Sequence, residues 1–133
     1  MLLKYPVKVL VAFGETFDGN EQIMEWLLKN GYPELAALSS TIRGSEEAMN
    51  WLMRNGYPEF GALDAAIDDK KQAKQWLENH NYEIMAVFAS ACNKDPVALK
   101  KLKELDLDIL IRLANKIYGF RDNQHYDYHK IHF

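Results

Sequence analysis

Three histidines stand close together near the end of the chain, His125, His129 and His132, with Asp122 and Asp127 among them. Imidazoles and carboxylates are zinc ligands, and His125 and His129 would share a face of a helix. The spacing is weak as a ligand pattern and no cysteine supports it, so no metal is expected. Tyr126, Tyr128 and Phe133 suit instead a capping tail anchored on an apolar surface. The single cysteine, Cys92, falls in an apolar column, where a thiol is a small buried hydrophobe and not a nucleophile. There is no Gly-rich phosphate loop, nucleophile elbow or helical His-Glu-x-x-His pattern. Neither catalysis nor a cofactor is expected.

The aromatic residues lead to the elements that must position them. Trp26, Trp51 and Trp76 stand 25 residues apart, each followed by Leu. At that spacing Asn30, Asn55 and His80 align, then Gly31, Gly56 and Asn81, then Tyr32, Tyr57 and Tyr82. Three apolar columns follow: Leu10/Leu35/Phe60/Met85/Leu110, Phe13/Leu38/Leu63/Phe88/Leu113 and Phe17/Ile42/Ile67/Cys92/Ile117. Segments 26–50 and 51–75 share 11 identical residues of 25, so the period is real.

Each unit reads as two helices. The first, as in 46–55, has apolar residues at i, i+3, i+4. It is preceded by the column Asn20/Ser45/Lys70/Asp95, three of which are good N-caps. Gly31, Gly56 and Asn81 tolerate the left-handed conformation that closes it. Pro33-Glu34 and Pro58-Glu59 suit the first turn of the second helix. The columns Ala36/Gly61/Ala86 and Thr41/Ala66/Ala91 are small and let neighbouring hairpins approach. The ends depart from the pattern, as terminal units facing water should. Residues 5–10 form a half unit, either an opening helix or partly extended. Helices are expected at 96–105 and 107–118, with Gly119 as the stop. The chain is therefore expected to be all-α, a short α-solenoid of stacked antiparallel helical hairpins. Its units fall near 1–25, 26–50, 51–75, 76–100 and 101–119, with a tail at 120–133.

The unit resembles an ankyrin repeat without its projecting loop. Tyr32-Pro33-Glu34-Leu35-Ala36-Ala37, Gly44 and Trp51-Leu52-Met53-Arg54-Asn55-Gly56 follow the ankyrin order of helix head, small pair, turn and second helix. Tyr57-Pro58-Glu59-Phe60-Gly61-Ala62 and Trp76-Leu77-Glu78-Asn79-His80-Asn81 follow it more loosely. The likeness spans residues 5–119. The Thr-Pro-Leu-His set is absent, and the period is about 8 residues short of the ankyrin length. The resemblance implies a protein-binding role, served in that family by the loop and the concave helices, while removing the loop.

Columns that stay constant serve stacking between units, and columns that vary are the better binding candidates. Ser39, Arg43, Asp64, Asp68, Ser90 and Asn93 vary on or after the second helices, the set the ankyrin resemblance favours. Glu46, Glu47, Lys71, Gln72, Glu78 and Asn79 vary on the first helices. Of the constant aromatics, Tyr32, Tyr57 and Tyr82 are the better binding candidates, because a tyrosine at a turn keeps a polar tip wet.

The formal net charge is −3, so no global basic field draws the chain to nucleic acid. Residues 1–69 hold 5 Lys/Arg against 11 Asp/Glu, and residues 70–133 hold 11 against 8. The expected function is a protein-interaction module of unidentified partner. The alternative is nucleic-acid binding through Lys70, Lys71, Lys74, Lys100, Lys101 and Lys103. The longest apolar run, at 9–13, is too short for a membrane helix, and the first residues lack the pattern of a signal peptide. A cytoplasmic location is the expectation.

Overall fold

The computed structural model describes the backbone of residues 2–131 and the side chains of residues 2–123. Among the described residues the chain is all-helical, with nine α-helices and no strand. The helices are α1 (Val7–Glu15), α2 (Glu21–Lys29), α3 (Pro33–Ile42), α4 (Glu46–Arg54) and α5 (Pro58–Ile67). They continue as α6 (Lys71–Asn79), α7 (Glu83–Ala91), α8 (Pro96–Glu104) and α9 (Asp108–Ile131). Two 3₁₀ turns, Leu2–Lys4 and Thr16–Asp18, flank α1.

Local chemistry sets the helix ends. Asn20, Ser45 and Asp95 each accept a bond from a first-turn amide, that of Gln22, Ala48 and Ala98 in turn, all at 3.1 Å. Lys70, the fourth member of that column, makes no side-chain cap. At the other end, Gly31, Gly56, Asn81 and Asp106 have φ of 87°, 85°, 67° and 57°. The amides of Tyr32, Tyr57, Tyr82 and Leu107 then reach back to the carbonyls of Leu27, Leu52, Leu77 and Leu102 at 2.7–2.9 Å. This closure satisfies a carbonyl that the helix leaves unpaired and turns the chain directly into the next helix. Asn30 and Asn55 donate to the carbonyls of Trp26 and Trp51 at 2.8 Å, and His80 Nδ1 lies 2.7 Å from that of Trp76. The Asn/Asn/His column is thus a second device for the same helix end.

The odd-numbered helices carry the core. All ten residues of the first two apolar columns are buried, Phe13, Phe60 and Phe88 completely. In the third column Phe17, Ile67, Cys92 and Ile117 are buried, while Ile42 is half-buried. The even-numbered helices bury far less; α2, α4 and α6 each sink one residue completely, Leu27, Leu52 and Leu77. Full burial of an apolar side chain contributes about 1.5–3 kcal/mol, so the odd helices dominate the stability.

The odd helices pack in sequence, α1 on α3, α3 on α5, α5 on α7 and α7 on α9, and α9 packs on α1. First and last helices therefore meet, although each was expected to face water there. Each covers the apolar stripe that the other would expose. Gly14 makes the approach possible, because a Cβ there would lie 2.8 Å from Leu113 Cδ2. Phe17 packs against Phe120 with ring centroids 6.0 Å apart, and Lys116 pairs with Asp18.

At the start, the structure decides between the two alternatives: residues 7–15 are helical, not extended, because Val9, Leu10 and Phe13 must share one buried face. At the other end an expectation is corrected. Gly119 does not stop the last helix; α9 runs on to Ile131. A glycine inside a helix costs only about 1 kcal/mol. Phe120 and Arg121 beyond it make contacts with Phe17 and Asp68 that offset this.

The start of the chain is also tied down. Tyr5 donates its hydroxyl to Glu34 Oε2 at 3.1 Å, and Tyr57 reaches the same oxygen at 3.4 Å. Burial, with the Glu34 charge, pushes the Tyr5 phenol far above its ordinary range. The other oxygen, Oε1, is buried without a partner among the described residues.

Candidate binding surface

The even-numbered helices leave gaps between them. Between α2 and α4 lies a groove of about 360 Å³. Its floor is Pro33, Ala36, Ala37 and Ser40 of α3; its walls include Met24 and Leu28 of α2 and Glu47, Ala48 and Trp51 of α4. Between α6 and α8 lies another of about 350 Å³, floored by Glu83, Ala86, Val87 and Ser90 of α7. Its walls include Lys74 and Glu78 of α6 and Val97, Ala98 and Lys101 of α8. Each lining residue of the second stands two 25-residue periods after a lining residue of the first. The surface is therefore a product of the repeat.

Two floor positions are the same in both copies, Ala36 with Ala86 and Ser40 with Ser90, as is one wall position, Ala48 with Ala98. Pro33 and Ala37 of the first floor become Glu83 and Val87 in the second. Small residues at the shared positions keep the gap open. The walls change character. Met24, Leu28 and Trp51 become Lys74, Glu78 and Lys101, while Glu47 becomes Val97, so the second groove gains cations and keeps an apolar wall residue. The intermediate position, between α4 and α6, carries Met49 and Met53 against Gly61. A Cβ there would meet Met53 Sδ at 2.9 Å and Met49 Sδ at 3.1 Å.

The residues picked out by sequence do not gather at one place. Ser39 is completely buried, its hydroxyl 2.7 Å from that of Thr16, and is corrected from a binding residue to a core one. It points inward because the odd helices meet on that side. Arg43 is half-buried; its guanidinium lies 3.4 Å from the Ser39 carbonyl and 3.5 Å from Ser40 Oγ. Ser90 alone of the second-helix set lines a groove. Tyr32, Tyr57 and Tyr82 are half-buried and stack on Trp26, Trp51 and Trp76, with centroids 6.1–6.3 Å apart and planes within 17°. These pairs clasp two helices of one unit, and Tyr32 and Tyr57 also reach the preceding unit, at the Tyr5 ring and the Glu34 carboxylate.

Asp64, Asp68 and Asn93 do cluster, at the C-terminal ends of α5 and α7. Arg121 of α9 pairs with Asp68 at 3.1 Å, and Asn93 donates to the Ile67 carbonyl at 2.9 Å. Burial, reinforced by the Asp68 charge, raises the Asp64 carboxyl from 3.8 to about 6, with Arg121 and Lys70 opposing. Cys92 lies beneath, and burial pushes its thiol well out of the nucleophilic range. Sequence missed Arg121, since it lies in the presumed tail. No local pattern marks it; only the course of α9 brings it to α5.

Of the six lysines of the nucleic-acid reading, Lys74 and Lys101 share the charged groove with Glu78, Glu83 and Asp95. Lys74, Lys100 and Lys103 are paired with Asp69, Glu104 and Asp108. His125 and His129 lie outside the described side chains, and His132 lies outside the described residues. Among the described residues no group of three metal-ligating side chains occurs, and no helix is long and apolar enough to cross a membrane. Of the variable first-helix set, Glu47 and Glu78 line the grooves, whereas Met24, Leu28 and Val97 were missed, although the signal was present in columns that swing between apolar and charged. No family model matches the chain, and neither a curated protein nor a solved structure matches it.

Proposed function

We propose that this chain is a non-catalytic protein-binding module, an ankyrin-like α-solenoid of hairpins whose ligands enter the grooves between its even-numbered helices. The observation that carries the reading is the pair of grooves at the same repeat position. A shared framework of small residues with divergent neighbours is what a scaffold needs to hold different peptide segments in different units. The buried thiol of Cys92 suits a reducing compartment such as the cytoplasm. The nucleic-acid alternative has weaker support, because the lysines of the charged groove stand among carboxylates.

The test is to pan a library of displayed peptides against the wild type and against groove-blocked variants, Ala37→Arg in α3 and Val87→Arg in α7. Both positions are half-buried on groove floors. Enriched peptides should lose binding to one blocked variant or the other. Failure to enrich any peptide, or enrichment indifferent to both blocks, would refute the reading.

A further inference from the structure

We infer that the apolar groove between α2 and α4 receives a basic amphipathic helix from a protein partner, an inference that rests on the groove-binding reading above. Three of the groove's wall residues are large and apolar: Met24, Leu28 and Trp51. Leu28 is 55% exposed. Large apolar side chains left in water beside a groove mark a surface that gains by being covered. Methionines favour an irregular partner surface, because the unbranched thioether adapts its shape.

Geometry favours a helix as the occupant. Each wall helix has nine residues, a length of about 13 Å. A gap between two such helices over a third is a seat for one more helix, with room in the groove for two or three anchor side chains. An extended strand would find no sheet edge there to bond to.

Charge selects the sign of the partner. Residues 1–69 hold 5 Lys/Arg against 11 Asp/Glu. Glu47 lines the groove, and its lining residues include no cation. Glu21 and Glu25 share a face of α2 with Met24 and Leu28 by their i, i+3, i+4, i+7 spacing. Arg43, 3.5 Å from Met24 Sδ, is directed to Ser39 and Ser40. A helix with an apolar stripe and flanking lysines or arginines therefore meets apolar surface in the groove and carboxylates at its rim. The α6–α8 groove also offers an exposed apolar side chain, Val97, but Lys74 and Lys101 on its walls repel the cations of such a helix, and it serves as an internal control.

The test uses the full chain and three dye-labelled synthetic peptides. One carries Leu at i, i+3, i+4, i+7 with Lys elsewhere; the second has the same Leu pattern with Glu; the third has the first's composition scrambled. Anisotropy at physiological salt reports affinity. The basic amphipathic peptide should bind at least about tenfold tighter than either of the others. Leu28→Lys should weaken it about tenfold or more, while Glu104→Lys, outside both grooves, should leave it unchanged. Both positions are exposed, so both variants should fold, which circular dichroism checks. Equal binding of the acidic or scrambled peptide, indifference to Leu28→Lys, or no binding at all would overturn the inference. Peptide panning separates the two levels. If it yields groove-dependent ligands that are acidic or non-helical, the binding reading stands and this assignment fails.

Discussion

Replacing Phe120 by alanine tests whether the last helix belongs to the core. Phe120 is half-buried on α9, with its ring 6.0 Å from that of Phe17, which is 6% exposed. Truncating a fully buried Phe to Ala costs about 3–5 kcal/mol; half that burial gives about 2 kcal/mol. For a chain of this size such a loss lowers the melting temperature by about 6–10 °C. Urea denaturation followed by circular dichroism measures it directly. Phe17→Ala completes a double-mutant cycle, in which the aromatic pair should show a coupling of about 0.5–1.5 kcal/mol. Asp122→Ala, at an exposed position on the same helix, is the control and should stay within about 0.5 kcal/mol of wild type. If Phe120→Ala behaves like Asp122→Ala, or if the coupling to Phe17 is absent, α9 does not close onto α1 in solution and the reasoning fails.

Three further perturbations probe other levels. Asp64 holds its proton more tightly in the fold, at about 6 against 3.8. Its contribution is therefore fully present below pH 4 and is lost as pH rises from 4 to 6. Asp64→Asn should stabilise the chain above pH 6 by about 1 kcal/mol, the amount left after water screens its exposed side, and flatten the profile between pH 4 and 6. Thermal melts across that range check the sign; a gain at pH 4 equal to that at pH 7 would contradict it. Tyr5→Phe removes the shorter of two bonds to buried Glu34 and should cost about 1–2 kcal/mol in urea denaturation, more than Tyr57→Phe. Asp106 holds φ of 57° with its side chain exposed, so Asp106→Gly should raise stability by about 0.5–1 kcal/mol, and a loss would show that the side chain matters more than the backbone.

Much of the local structure was legible because it depends on residues near one another in the chain. The cap column Asn20, Ser45 and Asp95 and the left-handed Gly31, Gly56 and Asn81 act within one turn, so spacing alone reveals them. The three apolar columns were legible because a period of 25 repeats the same buried face. The choice between helix and extended chain at residues 5–10 stayed open for the opposite reason. Valines there favour strand locally, and only burial of Val9, Leu10 and Phe13 against other helices decides for helix.

Sequence alone thus determined the period, the all-helical class and which columns are apolar, since each follows from spacing and turn chemistry. Only the tertiary structure decided that α1 and α9 meet, that Ser39 is core, that Arg121 reaches Asp68, and which columns line grooves. Those depend on contacts between residues far apart in the chain. The five odd-numbered helices pack one on the next, and the last on the first, so the apolar stripes of α1 and α9 cover each other.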